Sequence, residues 1–254
     1  MAPETFEPDQ EWIRTVLPEG IPVGRTTMIS GPGGSGKPLI GFSIADSWLA
    51  AGGSVVVLLT NSGKEFVVET MAKLYDTDLD AHGDQIAWID FDPEMDAAVD
   101  AFERVGPREQ RGNLLEPAVW RETLSTAKAT VPDEGPGTLV FGSALNLFLF
   151  SPTYRDRMLS EFVEAAGDDG EVTTLFTVST SAFEDRIAEV EEASDTLLMT
   201  SMDDRTLRLR GVRSNSVEVS TDEIDVPFTP EELNHIKSVA EETRGSLVPT
   251  IKEI

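Results

Sequence analysis

Two rhythms of apolar residues run along this chain. The first is a set of short runs rich in β-branched and apolar residues, at 26–30, 54–60, 85–91, 138–141 and 173–178. The run Ser-Val-Val-Val-Leu-Leu-Thr at 54–60 is apolar nearly throughout. A strand reads this way when helices cover both its faces, as in a parallel sheet. The second rhythm is helical. Residues 38–51 carry Leu39, Ile40, Phe42, Ile44, Ala45, Trp48 and Leu49, and Ala51-Gly52-Gly53 ends the segment. Residues 65–75, 153–166 and 183–193 are also read as helices. The alternation of the two rhythms predicts an α/β fold with a mostly parallel central sheet flanked by helices.

Two further stretches qualify that picture. Residues 92–137 are the least regular, broken by Gly106-Pro107, Gly112 and Pro132 to Gly137, and are read as helices at 94–105 and 117–130 with loops around them. Runs at 196–201 and 206–211, separated by Met202-Asp203-Asp204-Arg205, predict an antiparallel hairpin near the C-terminal end. Thr229-Pro230-Glu231-Glu232 predicts a last helix with Thr229 as cap and Glu232 closing a capping box. The apolar run Leu145 to Phe150 reads as core, with a partner surface as the alternative. No internal repeat interrupts the 254 residues.

Charge narrows the function classes. The chain holds 46 acidic and 20 basic residues, a net charge of −26, and only six of the basic residues are Lys. Such a field repels phosphate backbones and anionic lipid surfaces, which disfavours nucleic acid and membrane as partners. Abundant Asp and Glu with scarce Lys also fits a halophile, whose molar salt cuts the Debye length to about 3 Å. Cysteine is absent, so disulfides and thiolate metal sites are excluded. His82 and His235 stand far apart in polar surroundings, and no metal site is expected from them. The acidic first residues show no signal peptide, and no apolar run is long enough to span a bilayer, so a cytoplasmic location is expected.

The candidate chemistry lies between the first long strand and its helix. Gly31-Pro32-Gly33-Gly34-Ser35-Gly36-Lys37-Pro38 matches the P-loop pattern at seven of its eight positions. Gly31, Gly33, Gly34, Ser35, Gly36 and Lys37 are therefore the candidate nucleotide-binding residues. The glycines let backbone N–H groups approach a phosphate, and Lys37 adds a charge-assisted contact. Pro38 stands where the pattern needs Ser or Thr. It removes the hydroxyl that would hold Mg²⁺ and one N–H that would face the phosphates. The second Mg²⁺ requirement is an Asp at the end of a later buried strand, and there the chain has Gly142 followed by Ser143. Asp46 and Glu65 are the candidate substitute ligands, without support from their spacing. No catalytic residue and no metal ligand is assigned.

At 20–37 the chain reads Gly-Ile-Pro-Val-Gly-Arg-Thr-Thr-Met-Ile-Ser-Gly-Pro-Gly-Gly-Ser-Gly-Lys, which resembles the opening of KaiC-like ATPases. Ala193-Ser194-Asp195-Thr196-Leu197-Leu198, the hairpin, and Arg208-Leu209-Arg210-Gly211 are similar to that family's closing strands with their Lys-x-Arg-Gly turn. Recombinase paralogues share the same core. The resemblance implies a RecA-like fold over 18–228, with 1–17 as an extension and 229–254 as a C-terminal helix and tail. It implies ATP or ADP bound between neighbouring subunits, with Arg208 and Arg210 reaching the neighbour's phosphate. ATPases of the RecA type also carry a Glu after the second strand, where this chain has Thr60-Asn61-Ser62. Asn61 can orient a water but cannot take its proton. The combined expectation is a non-hydrolysing RecA/KaiC-like regulatory or scaffolding protein. It would bind nucleotide weakly without Mg²⁺, as a homo-oligomer or beside an active paralogue or signalling protein. The alternatives are an active ATPase with relocated metal ligands and a recombinase-type DNA accessory protein.

Overall fold

A computed structural model describes residues 4–60, 63–95, 102–143, 145–167, 170, 172–243 and 251–252. In chain order the elements are β1 (Thr5–Phe6), α1 (Glu11–Val16), β2 (Ile21–Pro22), β3 (Thr26–Gly31), α2 (Lys37–Ala50), β4 (Ser54–Leu59), α3 (Lys64–Tyr75) and β5 (Ile86–Phe91). Then come β6 (Phe102–Gly106), β7 (Glu109–Gly112), α4 (Pro117–Lys128), β8 (Thr138–Gly142), a 3-10 turn (Leu145–Phe150), α5 (Arg155–Gly167) and β9 (Thr173–Ser179). The chain continues through α6 (Glu184–Ala193), β10 (Thr196–Asp203), β11 (Thr206–Ser214), β12 (Ile224–Asp225) and α7 (Pro230–Thr243).

The main sheet has ten strands in the order β12-β11-β10-β3-β9-β8-β4-β5-β7-β6. The seven from β10 to β7 run parallel, while β11, β12 and β6 pair antiparallel at the two edges. Side chains alternate across each strand and so divide the core in two. Leu139 and Phe141 of β8 join α2 and α3 on one face, whereas Val140 joins α4, α5 and α6 on the other. This double burial is why the central strands read as continuous apolar runs.

The expected elements form close to their expected limits, with two corrections: residues 109–112, expected in a loop, form β7 paired parallel with β5, and the helix expected at 94–105 does not end as one. Residues 102–105 are not the end of a helix: Phe102–Gly106 is an edge strand paired antiparallel with β7, and residues 96–101 of the expected helix lie outside the described residues. Its exposed polar positions give no helical stripe to bury, and the backbone ladder decides its state. Leu145 to Leu149 are buried in the second core, where Phe148 lies 5.9 Å from the Trp120 ring centre. Thr229 and Glu232 form the expected capping box, with Thr229 N–H donating to Glu232 (2.7 Å) and Glu232 N–H to Thr229 Oγ1 (3.2 Å). Ile13, Val16 and Leu17 are fully buried in the first core, so the N-terminal residues pack with the main body. Among the described residues no helix is long and apolar enough to cross a membrane.

Candidate functional site

The phosphate loop leaves the C-terminal end of β3, all six residues of which are buried between β9 and β10. Gly36 turns the chain into α2 at φ +62°, the left-handed region where a side chain is strained. Space imposes a second demand there, because a Cβ on Gly36 would lie 2.8 Å from Leu207 of β11. Lys37 opens the helix and Pro38 follows in its first turn, where a missing N–H breaks no helical bond.

The six candidate residues come together as one loop. Lys37 is 6% exposed, and its ammonium donates to the carbonyls of Gly31 (3.0 Å) and Pro32 (2.6 Å) and to Ser35 Oγ (3.3 Å). Burial pushes its pKa down to about 8, so the group is charged at neutral pH but only by a narrow margin. Ser35 Oγ donates to the Pro32 carbonyl (2.8 Å) and shares a hydrogen bond with Thr200 Oγ1 of β10 (2.7 Å). The Gly33 N–H donates to Ser181 Oγ just beyond β9, at 2.7 Å. Among the described residues, the N–H groups of Gly34, Gly36 and Lys37 donate to no acceptor. Three free amides beside a buried ammonium at a helix N-terminus form a nest for an anion. Ser181, Thr200 and Leu207 were not singled out from the sequence. The Ser179-Thr180-Ser181 run at the end of an apolar strand is the one signal that would have marked Ser181.

The end of β8 is built differently. A Cβ on Gly142 would lie 3.0 Å from Leu58 Cδ1 and 3.0 Å from Phe176 Cδ1, in the second core. Its neighbour Phe141 faces the other way, with its ring so close to α2 that a Cβ on Gly41 would stand 2.3 Å from it. Thr60 Oγ1 donates to the Ser143 carbonyl and ties the ends of β4 and β8 together. Asn61 lies outside the described residues. The free amides and the ammonium suit an anion such as a phosphate, and the two positions read from the sequence for Mg²⁺ hold Pro38, which has no hydroxyl, and Gly142, which has no side chain.

Of the two substitute ligands, Asp46 is nine residues along α2 from Lys37, about 13 Å by helical rise. There it accepts from Thr77, and burial raises its pKa. Glu65 is exposed in the first turn of α3. Arg208 and Arg210 share the more exposed face of β11, opposite Leu207 and Leu209. They differ in partners. Arg208 is bound by its own chain through Asp203 (3.3 Å), Glu223 (3.4 Å) and Asp225 (3.1 Å), while Arg210 makes no ion pair among the described residues.

No family model matches this sequence, and no curated protein matches it. Solved structures do. A KaiC-like protein from the hyperthermophilic archaeon Pyrococcus horikoshii OT3 superposes with a TM-score of 0.65, covering 91% of this chain and 96% of that one at 13% identity. At that identity the likeness establishes the fold: a RecA-like α/β core with a mostly parallel sheet and an antiparallel hairpin near the C-terminus.

Proposed function

We propose that this chain is a nucleotide-binding protein of the RecA/KaiC type that has given up hydrolysis and acts as a regulatory or scaffolding subunit. The loop supports the binding half, with three unclaimed amides and a buried lysine where the phosphates of ATP or ADP would lie. The observation that carries the non-hydrolysing half is Gly142. At the position from which a carboxylate would hold Mg²⁺ there is no side chain, and a Cβ there would stand 3.0 Å from both Leu58 and Phe176. Nucleotide then binds without the metal, and the sequence has Thr60-Asn61-Ser62 where a Glu would polarise the attacking water.

Such a subunit acts through its neighbours, and the reading includes an oligomer, either with itself or with an active paralogue or signalling protein. Arg210 is the arginine open to a neighbour's phosphate, because Arg208 is already neutralised by three carboxylates.

Calorimetry with ADP and ATP in molar KCl, with and without Mg²⁺, tests the reading. Lys37→Ala is the control, because loss of its charge-assisted contact removes about 1.5–3 kcal/mol, or one to two powers of ten in affinity. The expected result is Mg²⁺-independent binding that Lys37→Ala weakens about ten- to a hundredfold, with no phosphate release from ATP. Mg²⁺-dependent binding with phosphate release overturns it.

A further inference from the structure

The loop amide that is not free points to a device for regulating the site. Gly33 N–H donates to Ser181 Oγ at 2.7 Å, so this loop amide is capped by a neutral hydroxyl of the chain. The turn bearing Ser181 is fixed to the loop and to the 3-10 turn by backbone donors. Thr180 N–H donates to the Gly31 carbonyl (3.0 Å), Ser179 N–H to Asn146 Oδ1 (3.1 Å), and Ser181 N–H to Ser179 Oγ (3.4 Å). Two residues later Phe183 sits at φ +60°, a left-handed conformation that a phenylalanine keeps only when its surroundings impose it. The Phe183 ring meets Phe150 edge to face at 4.9 Å, and the Arg155 guanidinium lies 4.9 Å from the Phe183 ring centre. The Lys252 ammonium lies 5.1 Å from the Phe150 ring centre, and its neighbour Ile251 is fully buried in the second core. A continuous set of contacts thus runs from a phosphate-loop amide to the C-terminal residues.

We propose that Ser181 is a built-in competitor for the phosphate loop, and that a phosphate bound there, by expelling it, loosens the Phe183–Phe150–Lys252 stack and with it Ile251 and Lys252. This rests on the nucleotide-binding reading of the loop. A hydrogen bond to an anionic oxygen is roughly twice as strong as one to a neutral hydroxyl, so the arriving phosphate wins the Gly33 N–H. Once released, Ser181 Oγ no longer ties the turn to Gly33, and the turn keeps only the backbone bonds from Thr180 to Gly31 and from Ser179 to Asn146. The linkage is reciprocal: whatever docks the C-terminal residues more firmly weakens phosphate binding.

The test uses the full chain with ADP as probe. Calorimetry on the wild type, Ser181→Ala and Ser181→Thr is combined with amide hydrogen exchange of the peptide containing Ile251 and Lys252. Ser181 is exposed, so the alanine variant keeps the fold. Ser181→Ala is expected to bind ADP about three- to tenfold more tightly, the worth of one neutral hydrogen bond, with Ser181→Thr close to wild type. ADP is expected to speed exchange of the C-terminal peptide in the wild type, and in Ser181→Ala that peptide exchanges fast before ADP is added. If the wild type binds ADP but Ser181→Ala binds no better, or the peptide ignores ADP, the proposal falls and the nucleotide reading stands. If the wild type binds no ADP, both fall.

Discussion

The tips of β3 and β8 lie at the same edge of the same sheet, and both end buried apolar strands. At the tip of β3 the free amides of Gly34, Gly36 and Lys37 come together with the left-handed Gly36 and the buried Lys37. At the tip of β8 the corresponding polar machinery is missing, and Gly142 is enclosed by Leu58 and Phe176. Under the proposed function, the difference is that of a site lost in part. A phosphate loop is made of backbone, so it persists while the strand-to-helix turn persists. A metal ligand is a single side chain at a packed position. Once it is gone, its neighbours fill the space and the change becomes costly to reverse.

The largest expected effect comes from trying to reverse it. Gly142→Asp puts a carboxylate into the second core and destabilises the fold by about 3–5 kcal/mol, the cost of an uncompensated buried charge. Gly142→Ala, which only overpacks, costs about 1–3 kcal/mol. Thermal unfolding in KCl reads both, with a drop of about 10 °C for the aspartate variant. A Gly142→Asp protein of wild-type stability that binds Mg²⁺ would break the contrast between the two strand ends.

At the β3 tip the reverse change is expected to succeed. Pro38→Thr restores an N–H and a hydroxyl at a helix position that accepts them, and tightens ADP binding by about 1.5 kcal/mol, or roughly tenfold. Phosphate release stays absent, since the β8 tip is unchanged. ATP turnover by this single variant, followed by a phosphate assay, would show that the β8 tip was not what stopped hydrolysis.

The smallest effect is a pH dependence confined to the loop. Burial lowers the Lys37 pKa to about 8, and a bound phosphate favours the charged ammonium. Affinity present below pH 8 is therefore lost as pH rises through that value, by up to about tenfold per unit. The sign for folding is opposite. Between about 8 and the ordinary lysine value the unfolded chain binds more protons, so the Lys37 contribution to stability rises with pH, and weaker binding at pH 9 is not unfolding. ADP calorimetry at pH 7 and pH 9, with protein integrity followed by circular dichroism, separates the two.

What the sequence determined by itself was the part governed by local pattern. Strands β3, β4, β8 and β9 are legible because burial on both faces makes them apolar at successive positions, and the phosphate loop is legible because its chemistry lies in eight consecutive residues. The vacancy of chemistry at Pro38 was legible for the same reason. Only the tertiary structure decided the rest. The edge strand Phe102–Gly106 carries an exposed, mixed sequence, and pairing with β7 rather than any stripe of its own holds it. Ser181, Thr200 and Leu207 reach the loop from β9 and β10–β11, some 150 residues or more away in the chain, through parallel and antiparallel register. Gly142 read as a position without a ligand, and the fold packs Leu58 and Phe176 against it, 3.0 Å from where a Cβ would stand. Arg208 and Arg210 read as an equivalent pair, yet one is bound by three carboxylates that the hairpin and β12 bring beside it. Spacing along the chain fixes which backbone can turn and which face is apolar. Which polar group finds a partner depends on distances that only packing sets.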